Sequence, residues 1–209
     1  PCKPRKEGFL MKCSDVPSFA SQLRKAIGFS HARRFDATEL LEVCEVSFDV
    51  LDSPIPSSLL LLFYLRDGHL HFVATRRATC MRFAPGRMVL PGGHQESGED
   101  AITGGLREGR EEIAADVAPD EVVGALPAFY REEHVNFRIT TVVALTTRPQ
   151  HFVPNRREVD EIVELPVTQW LRTGGDASPF FPMNGAGETL MKGNAFAMEY
   201  LRQLLLLHR

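Results

Sequence analysis

Three carboxylates stand close together in the string Arg107-Glu108-Gly109-Arg110-Glu111-Glu112. On a helix, Glu108, Glu111 and Glu112 occupy positions i, i+3 and i+4 and share one face. Like charges at that spacing repel by roughly 0.2–0.5 kcal/mol per pair in an isolated helix. A hard divalent cation turns the repulsion into binding, because Mg2+ takes oxygen ligands, commonly a few carboxylates together with substrate phosphate. Taken alone, the string also describes a solvated helix face whose acids are screened by Arg107 and Arg110. The upstream residues favour the first reading. Met88-Val89-Leu90 is a strand-like apolar run that ends in Pro91 and a glycine loop at Gly92-Gly93, and Glu99 and Arg107 follow.

The series Gly93, Glu99, Arg107, Glu108, Glu111, Glu112 resembles the Nudix box, G-x5-E-x7-R-E-U-x-E-E-x-G-U, where U is a bulky apolar residue. All six positions fall at the required spacing. The chain departs from the pattern at Gly109 and Ala115, which replace the two apolar residues, and at Ala114, which replaces the last glycine. Gly104, Gly105 and Gly109 each weaken a helix by about 1 kcal/mol relative to alanine, so they predict close backbone packing on their side. The resemblance implies that Glu108, Glu111 and Glu112, with the carbonyl of Gly92 or Gly93, hold Mg2+, for which Mn2+ can substitute. It also implies that Arg107 pairs with Glu99 as a brace, and its place one residue before Glu108 predicts that it faces away from that acid. The general base would be Glu108 or a downstream acid such as Glu158.

Ahead of the box, Arg76, Arg77, Arg82 and Arg87 occur with no acidic residue between Asp67 and Glu96. In an acidic protein, such a local excess suits a phosphate-rich ligand, because guanidinium binds phosphate oxygens in pairs. The stretch TRRATCMRFAPGRMVLPGG is similar to the signature LLTxRxxxLRxxxGxVxFPGG of the coenzyme A diphosphatase branch of the Nudix hydrolases. Thr75, Arg77, Arg82, Gly86, Pro91, Gly92 and Gly93 match in register, and Met81, Met88 and Leu90 are apolar exchanges. Arg77 and Arg82, which match the signature, and Arg87, from the same unacidic loop, are the candidate substrate-binding residues. Further on, Pro154-Asn155-Arg156-Arg157-Glu158-Val159 resembles the PNxxEV stretch of the same branch, with Glu158 at its glutamate. Met191-Lys192-Gly193 is similar to its KG-x-TA region, from which Asn194-Ala195-Phe196-Ala197 departs.

These residues need a scaffold. Leu59–Arg66, the turn dipeptide Asp67-Gly68 and His69–Thr75 read as a β-hairpin. His69 and His71 alternate with Leu70 and Phe72, as on an exposed strand face. Glu121–Glu132 and Val135–Thr147 alternate as two further strands, with Phe129 and Tyr130 as core and Glu132 and Glu133 as extra acids. Ala197, Tyr200, Leu201, Leu204 and Leu205 form the apolar face of a last helix. Leu40 to Val50 switches from a helix-like to a strand-like pattern that Pro54 and Pro56 close. Gly174-Gly175 and Gly185–Gly187 mark loops able to close over a substrate.

The chain has 209 residues, 44% of them hydrophobic, enough for one domain with a real core. A net charge of −3 excludes general polyanion binding, so nucleic acid is not an expected partner. The longest apolar run, Leu59–Leu65, is of strand length, so no membrane partner is expected. Cys2, Cys13, Cys44 and Cys80 follow no metal-ligand spacing and read as reduced, intracellular thiols. Peroxisome, mitochondrion and cytosol stay open. Residues 1–35 are basic and are expected to form a helical extension packed on the domain, a targeting presequence being the alternative. Residues 36–209 would form the Nudix domain: an α/β sandwich with a mixed sheet between helices. The function implied is Mg2+-dependent hydrolysis of the diphosphate of coenzyme A or acyl-CoA, with a homodimer allowed. The alternatives are ADP-ribose, a dinucleoside polyphosphate or an RNA cap as substrate, or a nucleotide-binding module without catalysis.

Overall fold

A computed structural model describes residues 11–32, 38–132, 136–173 and 190–207. Within them an eight-stranded mixed sheet is sandwiched between helices. Its centre is β1 (Ile55–Arg66), antiparallel to β2 (His69–Arg77) and parallel to β7 (Asn136–Thr146). β3 (Met88–Val89) and β8 (Val159–Pro166) pair with β2, β4 (Gly92–His94) pairs with β1, and β5 (Val122–Ala125) and β6 (Phe129–Glu132) pair with β7. The β1–β2 turn puts Asp67 at φ 50° and Gly68 at φ 75°, the two positive φ values that a tight hairpin matching strand twist requires.

β1 explains its own sequence. Leu61 and Phe63 enter one core beneath the N- and C-terminal helices, whereas Leu60, Leu62 and Tyr64 enter a second on the opposite face. A strand covered on both sides reads as a continuous apolar run rather than an alternating one. On the first face lie α1 (Val16–Ala32), α2 (Thr38–Cys44), α4 (Val167–Thr173) and α5 (Lys192–Leu207). Phe19, Leu23, Ala26 and Ile27 of α1 are buried in the same cluster as Tyr200, Leu201 and Leu204 of α5. Phe129 packs edge-on against Phe196 at 4.9 Å, inside the core.

Some elements differ from the sequence reading. The stretch Glu121–Glu132 is two strands, β5 and β6, separated around Pro127, which has no N–H to give to a ladder. Pro56 does not close a segment but sits at the start of β1. Residues 46–50 form no strand, only a bridge from Ser47 to Tyr130. His69 and His71 are half-buried rather than exposed. Glu133, Gly174-Gly175, Gly185–Gly187, Cys2 and the basic residues up to position 10 lie outside the described residues.

The second face carries α3 (Ala101–Ile113), which bears the acids. Asp100 caps its N-terminus by accepting from the Thr103 amide at 2.7 Å. The glycines of α3 are buried against the sheet. A Cβ on Gly109 would lie 2.4 Å from Leu60 Cδ2, and one on Gly105 3.1 Å from Val142 Cγ2. Leu60 therefore fills the space that a bulky residue at position 109 would take.

At the other end, Ala114 adopts φ 54°, ψ 34°, and its N–H returns to the Arg110 and Gly109 carbonyls. This is the left-handed cap that glycine usually supplies, and a Cβ there costs roughly 1–2 kcal/mol. Ala114→Gly should relieve that strain and lose part of the gain to greater unfolded-state entropy. The expected net gain is about 0.5–1 kcal/mol, read as a Tm rise of about 1–4 °C. An unchanged or lower Tm would mean that the left-handed alanine is not strained.

Candidate active site

The glycine loop and α3 meet edge-on. β4 runs beside β1 with Leu59 opposite Gly92, and a Cβ on Gly92 would stand 2.3 Å from the Ser58 carbonyl oxygen. A Cβ on Gly93 would stand 2.6 Å from a Glu108 carboxylate oxygen. Both positions need the smallest residue so that backbone and acid can approach.

Arg107 organises the acids. Its Nε and Nη2 donate to the two Glu99 oxygens, each at 3.0 Å. Nη1 donates to Glu108 at 2.8 Å and to Glu111 at 3.0 Å, and Nη2 also reaches the His94 carbonyl at 2.8 Å. The Glu99 pair lies where the sequence put it. The expectation that Arg107 faces away from Glu108 is corrected: its side chain curls along the helix and bonds its own neighbour. These bonds hold the Glu99 carboxyl below the usual carboxylate range.

Glu112 is 2% exposed and has Gly92 N–H as a donor at 3.2 Å. Burial pushes its carboxyl up to about 8, against the pull of that amide and of the Arg77 charge; the Glu108 and Glu158 charges add to the rise. Burial also raises Glu108, against the hydrogen bond from Arg107, with Glu111 and Glu158 contributing in the same direction. A buried and a half-buried carboxylate that repel one another and a third acid suit a hard, oxygen-seeking divalent cation, whose charge would offset both burial and repulsion. Among the described residues no three His, Cys, Asp or Glu side chains form a ready-made cage. Arg107 Nη1 bridges Glu108 and Glu111.

Glu158 comes from 46 positions after Glu112, at the start of β8. Asn155, absent from the sequence-based roles, places it. Its amide donates to the Glu112 carbonyl at 2.8 Å, its Nδ2 donates to Glu158 Oε1 at 3.1 Å, and its carbonyl accepts the Glu158 amide at 2.9 Å. The Val153 amide donates to the Ile113 carbonyl at 3.0 Å. Two carbonyls left open at the end of α3 are thus met by the loop that carries Glu158.

A cleft of about 810 Å³ joins these groups. Glu108, Glu112, Glu158 and Arg107 line it together with Arg77 and Arg82. Glu111 is not among its lining, and its side chain is 55% exposed. Arg87 is also outside the lining and exposed, and its carbonyl accepts the Arg77 amide at 3.0 Å across the loop. Arg76 pairs with Glu161 at 2.9 Å. Glu132 is exposed and away from the cleft. Of the four arginines in the acid-free stretch, Arg77 and Arg82 face the acids.

The floor of the cleft is aliphatic, with Leu59, Val89, Leu90, Ile139 and Met191. Asn194, buried at 3% exposure, accepts the Leu90 amide through Oδ1 at 2.7 Å and also lines the cleft. The sequence marked it only as a break in a pattern. Phe83, His94 and Phe137 stand in the same lining. No sequence signal singled them out, since isolated aromatics on a loop and a strand look like core.

Comparison with known proteins places this geometry. The family model described as the NUDIX domain matches residues 58–181. The uncharacterized Nudix hydrolase NudL of Enterobacter sp. is 33% identical over 99 residues, covering 47% of this chain and 50% of the relative. The chloroplastic Nudix hydrolase 22 of Arabidopsis thaliana is 31% identical over 131 residues, covering 61% of this chain and 42% of the relative. The chain spans about half the length of the curated relatives it matches. Among solved structures, the Nudix hydrolase RenU of M. smegmatis superimposes with a TM-score of 0.53 at 22% identity, over 74% of this chain and 88% of that one. The NUDIX domain of Shewanella oneidensis NrtR, solved with ADP ribose, gives 0.53 at 18% identity, over 74% and 90%. These structural likenesses carry the α/β sandwich fold. Because the matched family span takes in more than half of the sequence, this chain belongs to the NUDIX domain family.

Proposed function

We propose that the chain hydrolyses the diphosphate bridge of coenzyme A or acyl-CoA, giving 3′,5′-ADP and (acyl-)4′-phosphopantetheine. The observation that carries this reading is a single cleft with half-buried Glu108 and buried Glu112 on one side and the unacidic loop of Arg77 and Arg82 on the other. Such a cleft suits an anionic ligand that must be both gripped and neutralised. A divalent cation, Mg2+ or Mn2+, held by Glu108 and Glu112 with Gly92, and joined by Glu111 on its release from Arg107, would neutralise diphosphate charge and acidify water. Glu158 takes the proton: Asn155 holds one of its oxygens, and no described residue engages the other. Water oxygen joins one phosphorus while the bridging oxygen departs with the other. Arg107 keeps the glycine strand and the helix in register through Glu99 and the His94 carbonyl.

The two arginines divide the phosphates. Arg77 lines the cleft together with Glu112 and is assigned to the diphosphate. Arg82 is exposed at the rim and engaged by no described residue, which suits the 3′-phosphate that coenzyme A has and ADP-ribose lacks. Arg82→Ala should cost on the order of 1.5–3 kcal/mol in kcat/KM for coenzyme A, the worth of hydrogen bonds to charged groups. The same change should be small for ADP-ribose, and Arg77→Ala should harm both substrates. The check is kcat/KM for both compounds with Mg2+ or Mn2+, products resolved by chromatography. Faster hydrolysis of ADP-ribose than of coenzyme A by wild type would overturn the substrate assignment.

A further inference from the structure

Three aromatic side chains line the cleft, and Phe137 neighbours both of the others. The Phe137 ring centroid lies 6.2 Å from that of Phe83, tilted by 48°, and 5.8 Å from the His94 ring, tilted by 36°. Phe83 is 42% exposed, so its ring is open to the cleft. Its carbonyl accepts from Arg77 Nε at 3.1 Å, and the His94 carbonyl accepts from Arg107 Nη2 at 2.8 Å. The backbone at each end of this aromatic row is therefore held by an arginine that lines the cleft.

We propose that Phe83, Phe137 and His94 form the subsite for the nucleobase of the substrate, a flat heteroaromatic ring such as a purine. The inference rests on reading the cleft as a site for a nucleoside diphosphate compound, and it names where the base lies. Aromatic faces accept any base by stacking, because every base presents a π-face. An acyl or pantetheine arm needs no ring surface, and the aliphatic floor of Leu59, Val89, Leu90, Ile139 and Met191 offers it a separate place. Phe137 and Ile139 are two residues apart on β7 and both line the cleft, so ledge and floor adjoin. Arg82 immediately precedes Phe83. A phosphate on the ribose that carries the base would meet Arg82 when the base lies on Phe83.

The test is equilibrium binding by titration calorimetry, with AMP and ribose 5-phosphate as probes, on wild type, Phe83→Ala, Phe83→Tyr and Phe137→Leu. Wild type should hold AMP more tightly than ribose 5-phosphate. Phe83→Ala and Phe137→Leu should each weaken AMP by about 5- to 100-fold, the range for one base–aromatic stack. Ribose 5-phosphate should be unaffected by either, and Phe83→Tyr should restore AMP. Equal loss for both probes, an unchanged AMP affinity, or wild type failing to prefer AMP would each overturn the ledge. Phe83 is exposed, so its variants decide the matter even if Phe137→Leu perturbs the core. AMP carries no diphosphate to cleave, so these results do not depend on whether coenzyme A proves to be hydrolysed.

Discussion

Glu112→Gln is expected to abolish turnover while the protein stays folded. The side chain is almost wholly buried, so an isosteric amide keeps its volume, and its Oε1 can still accept the Gly92 amide. What the amide removes is the negative charge that would help hold a divalent cation. Metal-ion stabilisation of transition-state charge is worth several kcal/mol, so kcat should fall on the order of a thousandfold or more at any practical Mg2+ concentration. Turnover on a panel of diphosphate compounds, beside thermal unfolding of both proteins, makes the comparison. A folded Glu112→Gln protein with near-wild-type kcat would remove Glu112 from the metal site.

Arg107→Ala should damage both the fold and the rate. One guanidinium serves Glu99, Glu108, Glu111 and the His94 carbonyl. Its loss leaves largely buried carboxylates facing each other without the intervening positive charge. Stability should drop on the order of 1–3 kcal/mol, the scale of hydrogen bonds to charged groups. Displacement of the glycine strand relative to Glu108 should lower kcat on the order of a hundredfold, as happens when the partners that orient metal ligands are removed. Glu99→Gln added to Arg107→Ala should bring little further loss, because the two residues share one interaction. Additive losses in that double-mutant cycle would show that they act independently.

The site was legible in the sequence wherever its geometry is local. A helix fixes the spacing that brings Glu108 and Glu112 to the cleft, while Glu111, read on the same face, stays outside its lining on Arg107, and the hairpin at Asp67-Gly68 announces itself through turn chemistry. The glycines of α3 foretold a close approach, and Leu60 now shows what they approach. Where side-chain path mattered, spacing was a poor guide. Arg107 sits beside Glu108 in sequence and was expected to turn away from it, but a long flexible side chain can bend back. Arg77 and Arg87 looked equivalent in an unacidic loop, yet only Arg77 and Arg82 line the cleft, because the chain folds back between them. Asn155 stands in the stretch that resembles PNxxEV but was given no role there, and Asn194 and the aromatic row carry no spacing signal, since their roles arise from contacts across the fold. Pro127 was the readable mark of the break between β5 and β6, and periodicity alone passed over it.

The loop that carries Glu158 hangs from the end of the helix that carries Glu112, through the amides of Val153 and Asn155. The box from Gly93 to Ala115 is therefore not a portable module. Transplanted onto another sheet, it would bring a helix with its last carbonyls bare and its third acid missing. Conversely, a replacement loop of another length would alter the helix terminus along with the acid it supplies. Diversification of this scaffold is thus channelled towards the arginine-bearing loop and the aromatic ledge, which can change without disturbing that joint.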